Sequence, residues 1–244
     1  MAYEEKYRIL GTDADQDDVV RPTAILRYMQ ETANRQMIAY GPSYAELFEK
    51  GMAFILSRIR VVNYDILHPY DEITVETWPS DSKGLTFPRF YRILRDGKVI
   101  SEGASMWALL DTKNHRLMRA TEVDISSYPF GEPLEMNLRF RIPSDATLEK
   151  AKPHTVEYSE IDCNRHMNNT YYPDMLCNRI PDIENKIVKE FSISFLSEAP
   201  YGETVEVLRC EEMADDGSQI HYFKTLKGET TNIEAKIVTV DKTK

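Results

Sequence analysis

"DADQDDVVRPTAILRYM" (13–29) and "SEIDCNRHMNNTYYPDML" (159–176) fall into register when Asp15 is set over Asp162, a shift of 147 positions. Asp17 then meets Asn164, and Val19 meets His166. A second pair, "HPYDEITVETW" (68–78) and "APYGETVEVLR" (199–209), matches with Pro69 on Pro200 at a shift of 131. The 16 positions lost in between are taken up by a longer helix and an extra short one, "PSYAELFEKG", in the first half. Such self-similarity marks a duplicated structural unit. On this alignment Val19 and Leu67 stand where His166 and Glu198 stand in the second copy, so only one copy carries the polar residues.

The order of elements repeats as well. "TAILRYMQETANRQMIAYG" (23–41) places Ile25, Leu26, Met29, Ala33, Met37 and Tyr40 at helical spacing, and Gly41-Pro42 stops it. In "PSYAELFEKG" (42–51), Ser43 can cap a second helix and Gly51 can end it. After that the period changes to two: "AFILSRIRVVNYDI", "EITVETWP", "TFPRFYRILRDGKVISEGASMWALLD" and "RLMRA" read as strands, with Asp96-Gly97 as a hairpin turn. Residues 129–153 carry four prolines and no sustained period, and read as a surface connector. A strand at 154–162, a helix near 170–180 and four more strands follow, with turns at Asp216-Gly217 and Lys227-Gly228. The expectation is an α+β chain of two helix-plus-sheet units, 1–128 and 154–244, joined by 129–153.

With 42% hydrophobic and 29% charged residues, each half can bury a core. The chain carries no basic-then-apolar leader and no run of about 18 apolar residues, which places it in the cytoplasm without membrane insertion. Cys163, Cys177 and Cys210 lack CxxC spacing, so neither a disulfide framework nor a zinc site is indicated. A formal charge of −10 argues against nucleic-acid binding. From 83 to 119, however, eight cations face three acids, which is either a solvated hairpin face or a landing surface for an acidic partner.

The densest chemistry lies in "DCNRHMNN" (162–169). One reading is that Asn168 or Asn169 simply caps a helix. The other is an active site: if 158–166 is extended, Asp162, Asn164 and His166 share one face, with Cys163 and Arg165 on the opposite one. The helix beginning near Asn168–Thr170 would add unpaired N–H donors able to hold an oxyanion. Carboxylate, amide and imidazole without an activated serine suit direct water attack on a thioester, whose thiolate, from a thiol of pKa about 8.5, leaves without much acid help. A lone histidine is more often structural than catalytic, and no metal-ligand spacing is present.

"DCNRHMNNTYY" resembles the D-x-N-x-H-[VM]-N-N-x-x-Y signature of the acyl-acyl carrier protein thioesterases of plants and bacteria. The likeness extends over nearly the whole chain, through "YRILGTDAD", "YMQETA" and "ILSRIRV". It implies a tandem double hot-dog, each repeat a curled antiparallel sheet around a long helix. Carried over by position, the catalytic residues are Asp162, Asn164 and His166. Glu198 is the fourth, at the place where plant members have a glutamate followed by a cysteine. Here the pair reads Glu198-Ala199, which removes that thiol and leaves water attack oriented by His166 and Glu198.

The resemblance further implies hydrolysis of fatty acyl-acyl carrier protein to free fatty acid, ending chain elongation, with no cofactor and no metal. The first repeat would then bind the acyl chain, and acyl carrier protein would be the partner. Acyl-CoA hydrolysis is the alternative within enzymes, and a non-catalytic acyl-binding module the alternative outside them. Homodimerisation stays open, because a duplicated chain supplies internally the pairing that single repeats obtain by dimerising.

Overall fold

The computed structural model describes residues 2–242. It divides into two compact units: residues 1–20 with 24–138, and residues 21–23 with 139–244.

In the first unit, strand β1 (Tyr3–Arg8) is followed by helix α1 (Pro22–Tyr40), helix α2 (Tyr44–Glu49) and strands β2 (Met52–Asn63), β3 (Glu72–Pro79), β4 (Phe87–Arg95), β5 (Lys98–Asp111) and β6 (Arg116–Met118). The sheet order is β1-β3-β4-β5-β2, with β6 also on β5, and the pairs are antiparallel. The predicted stripe of α1 is buried from Ile25 to Met37, while Tyr40 is exposed at the helix end, edge-on to Tyr3. Met29 seats the helix on the sheet: a Cβ on Gly103 of β5 would lie 3.0 Å from its sulfur. Ser43 and Glu46 form a reciprocal capping box at the start of α2. Asp96 and Gly97 both have positive φ, as the two-residue hairpin turn requires.

The second unit runs β7 (Glu149–Thr155), α3 (Tyr172–Cys177), β8 (Lys186–Phe195), β9 (Thr204–Met213), β10 (Gln219–Lys227) and β11 (Thr230–Asp241). Its order, β7-β9-β10-β11-β8, repeats that of the first unit strand for strand. Its helix is much shorter, six residues against nineteen. Among the described residues no helix is long and apolar enough to cross a membrane, and no group of three or more His, Cys, Asp or Glu could hold a metal ion.

Two expectations need revision. The stretch 129–153 is not all connector, because its end lies in β7, the counterpart of β1. Among the described residues β7 pairs only with β9; it is largely exposed and carries Lys, Glu and Pro153, the composition of a blunted edge strand, so it shows no alternation. The start of the stretch is pinned on the first unit: Gly131 N–H donates to the Pro79 carbonyl and Trp78 Nε1 to the Glu132 carbonyl, and Leu134, Met136 and Leu138 cover Trp78 and Phe90.

Nor do the cations of 83–119 form one face. Arg89 is buried and donates to Gln36 Oε1 and Thr77 Oγ1. Arg92 pairs with Glu102, Arg95 with Asp65 and Asp71, Lys98 with Asp65, and Arg116 with Glu122 and Asp111. Much of the local excess is thereby neutralised by acids, several of them outside the stretch.

Burial raises the Asp71 carboxyl, but the His68 amide and the Arg95 guanidinium lower it further, leaving it below the ordinary carboxylate range. Its contribution to stability is therefore present above the unfolded pKa and lost as pH falls through the folded one. Asp71→Asn is expected to lower the urea midpoint at neutral pH and to converge on wild type in acid.

At Gly131, an added Cβ would lie 2.5 Å from Cδ1 of the buried, hydrogen-bonded Trp78 indole. Gly131→Ala is expected to cost about 1–3 kcal/mol, read as a lowered Tm in calorimetry.

Candidate active site

Residues 162–166 form a tight turn, not a strand, which corrects the premise that alternation sets the site face. Ile161 and Met167 close it as an antiparallel bridge. Asp162 N–H donates to the His166 carbonyl at 3.1 Å, and Arg165 N–H to the Asp162 carbonyl at 3.0 Å. Arg165 takes φ +68°. The Asp162 carboxylate accepts the Asn164 amide at 2.8 Å, an Asx turn that shapes the backbone around the acid.

The turn nevertheless gathers the expected residues. His166 Nδ1 lies 3.8 Å from Asp162 Oδ1 and 3.4 Å from the Met167 carbonyl. On its other edge Nε2 faces Glu198 Oε1 at 3.7 Å. Asn164 is exposed at the tip, with its Nδ2 at 3.5 Å from Asp162 Oδ2. The imidazole and Asp162 are mostly shielded, whereas the Glu198 side chain is 69% exposed.

Glu198 is brought in by backbone pairing: Met167 N–H donates to the Ala199 carbonyl at 2.8 Å, and His166 bridges Pro200. Lys227 Nζ donates to the Glu198 carbonyl at 3.0 Å.

The helix start works differently from the expectation. Asn168 caps the single 3-10 turn Asn169–Tyr171 that leads into α3: its side-chain oxygen accepts Thr170 N–H at 2.9 Å and the Thr170 hydroxyl at 2.8 Å, and its carbonyl accepts Tyr171 N–H. Those two amides are already engaged, so they are not donors for an oxyanion. The capping reading therefore holds for Asn168, beside a separate polar cluster at 162–166.

The thiols differ sharply. Cys163 is exposed on the turn, where strand alternation no longer tells which way it faces. Burial pushes the Cys177 thiol far up, which disfavours the reactive thiolate. Ala199 is buried and contributes only backbone.

The first unit reproduces the turn bond for bond. Asp15 N–H donates to the Val19 carbonyl, Asp18 N–H to the Asp15 carbonyl, and Asp17 N–H to the Asp15 carboxylate, with Asp18 at φ +58°. Val20 N–H then meets the Leu67 carbonyl, as Met167 N–H meets that of Ala199. The counterpart of Ala199 is thus Leu67 and that of Glu198 is Ile66, a shift of 132 where the sequence alignment reads 131. Neither a histidine nor a carboxylate stands at these two positions in the first copy.

Each unit is a helix-bearing antiparallel sheet of one strand order, and the pair defines a double hot-dog. The N-terminal domain family of the acyl-ACP thioesterases matches residues 1–128, and the C-terminal domain family matches residues 144–239. The chain belongs to the acyl-ACP thioesterase family. It is 21% identical over 238 residues to a chloroplastic palmitoyl-acyl carrier protein thioesterase of Arabidopsis thaliana, covering 89% of this chain and 57% of that protein.

Its fold superposes on an acyl-ACP thioesterase from Bacteroides thetaiotaomicron with a TM-score of 0.85 at 18% identity, over 98% of each chain. For a 12:0-ACP thioesterase from Umbellularia californica the TM-score is 0.86 at 17% identity, over 99% of this chain and 94% of that one. The chain spans 57% and 64% of the length of the first two curated relatives that it matches.

Since the Asp162 carboxylate organises the turn by accepting an amide, Asp162→Asn keeps an acceptor while Asp162→Ala loses it. The alanine variant is expected to be less stable by about 1 kcal/mol and the asparagine variant close to wild type, measured by urea denaturation.

Proposed function

We propose that the chain hydrolyses the thioester of fatty acyl-acyl carrier protein, releasing free fatty acid and ending chain elongation. The observation that carries this reading is the 3.7 Å approach of His166 Nε2 to Glu198 Oε1, with Asp162 behind the opposite ring edge. That gap is too long for a direct hydrogen bond and lets one water touch both groups. Water held there can lose its proton as it attacks the thioester carbonyl, and the thiolate departs without a strong acid.

In this mechanism His166 and Glu198 orient and deprotonate the water. Asn164 holds the substrate carbonyl by its amide, and Asp162 maintains the turn and the imidazole orientation. The attack is direct, since Ala199 offers no thiol. Residues 154–244 carry the chemistry and 1–128 receive the acyl chain. The three free cysteines fit the reducing cytoplasm.

Acyl-CoA is the second reading, favoured by one observation: Arg92, Arg95, Lys98 and Arg116 are spent on neighbouring acids and Arg89 is buried, which weakens the case for 83–119 as a landing surface for an acidic carrier. Comparing kcat/KM on matched acyl-ACP and acyl-CoA, at low and high salt, separates the two; carrier-protein docking predicts a preference for acyl-ACP that salt erodes. His166→Ala and Glu198→Gln are each expected to lower kcat by about 10²-fold or more, with released fatty acid measured by gas chromatography. Undiminished hydrolysis in either variant would overturn the assignment.

A further inference from the structure

Glu198 sits in a loop that hangs from a β-bulge. In the β10–β11 pair, Thr225 faces Ile233 and Leu226 faces Thr231, so Asn232 is the extra residue. A bulge re-aims the side chain it carries. Here the fully buried Asn232 amide donates to the Ser197 carbonyl and to the Tyr172 hydroxyl, and its oxygen accepts the Thr225 hydroxyl at 3.0 Å. The Asn232 carbonyl accepts the amides of Leu196 and Ser197 at 2.9 and 3.0 Å, and Ser197 Oγ donates to the Thr231 carbonyl at 3.0 Å. The residue just before Glu198 is therefore held through its N–H, C=O and hydroxyl. Tyr172 in turn begins α3, the helix that follows the His166 turn, so one amide braces both segments that supply the proposed pair.

The first unit provides an internal control. It has the same bulge, with Ile100 as the extra residue between the Ile93–Ser101 and Leu94–Val99 pairs, and the Ile100 carbonyl accepts Tyr64 N–H as that of Asn232 accepts Leu196 N–H. At the established offsets Asn232, Thr225 and Tyr172 correspond to Ile100, Ile93 and Ile25, all buried. The backbone device thus needs no polar group to form. The buried amide, hydroxyl and phenol occur only in the copy that carries His166 and Glu198.

We infer that Asn232 is a positioning residue for Glu198, with Thr225 and Tyr172 fixing its amide. The inference rests on the hydrolase reading above and deepens it. Asn232 acts through the carboxylate, so its removal lowers kcat with little change in KM, and only while Glu198 is present.

The test is a double-mutant cycle on the full chain with Asn232→Ala and Glu198→Gln. Asn232→Ala alone is expected to lower kcat by roughly 10- to 100-fold, the scale of a misplacement of about 1 Å, and by less than about threefold on the Glu198→Gln background. Tyr172→Phe, which removes a single hydroxyl, is expected to show the same non-additivity at about 3- to 10-fold and serves if Asn232→Ala does not fold. Equal losses with and without the Glu198 carboxylate, or an unchanged kcat in folded Asn232→Ala, would overturn the positioning role. Full activity in Glu198→Gln itself would instead overturn the catalytic role of Glu198, and a wild-type chain that releases no fatty acid from any acyl thioester would overturn the hydrolase reading.

Discussion

One backbone hydrogen bond, from the Met167 amide to the Ala199 carbonyl, is the constraint on which the site depends. It joins a turn to a loop more than thirty residues away and sets the spacing between imidazole and carboxylate. Backbone groups carry this bond, so it tolerates wide change in side chains. The equivalent bond between Val20 and Leu67 in the first unit joins segments that carry Val19 and Ile66 where the second carries the imidazole and the carboxylate. The duplication thus preserves a geometry that brings two positions together, and leaves open which side chains occupy them.

The two copies show what different occupants cost. Ile25, Ile93 and Ile100 bury apolar surface, which stabilises directly. Tyr172, Thr225 and Asn232 must satisfy every buried donor and acceptor they introduce, since an unpaired one costs about 1–3 kcal/mol. The Asn232 amide meets that demand with three side-chain and backbone partners, all in the second unit. Burial also holds the Tyr172 phenol protonated, pushed up to about 12. A polar core is retained where a loop must be held at a set distance from a neighbour.

Charge follows a similar rule. Arg92, Arg95, Lys98 and Arg116 look like a basic stretch when counted along the chain, yet they meet acids brought beside them by the turns and the sheet. Arg95, for instance, joins Asp65 and Asp71 from the loop between β2 and β3. Linear charge counts overlook partners supplied by non-local pairing.

The sequence by itself determined the duplication, most of the strand runs and the long helix with its buried stripe, all written in periodicity, and its spacing offered Asp162, Asn164 and His166 as candidates; Glu198 came only from the resemblance to the thioesterase signature. It could not show that 162–166 turns back on itself, because Arg165 at positive φ has no residue-type signature as strong as glycine's. Nor could it reveal β7, an edge strand exposed on both faces, or fix the offset at 132 against 131, which a hydrogen-bond register decides and letters do not. Only the tertiary structure placed Asn232 beneath Ser197. A bulge residue breaks the alternation that sequence reading relies on, and its partners lie in segments far along the chain.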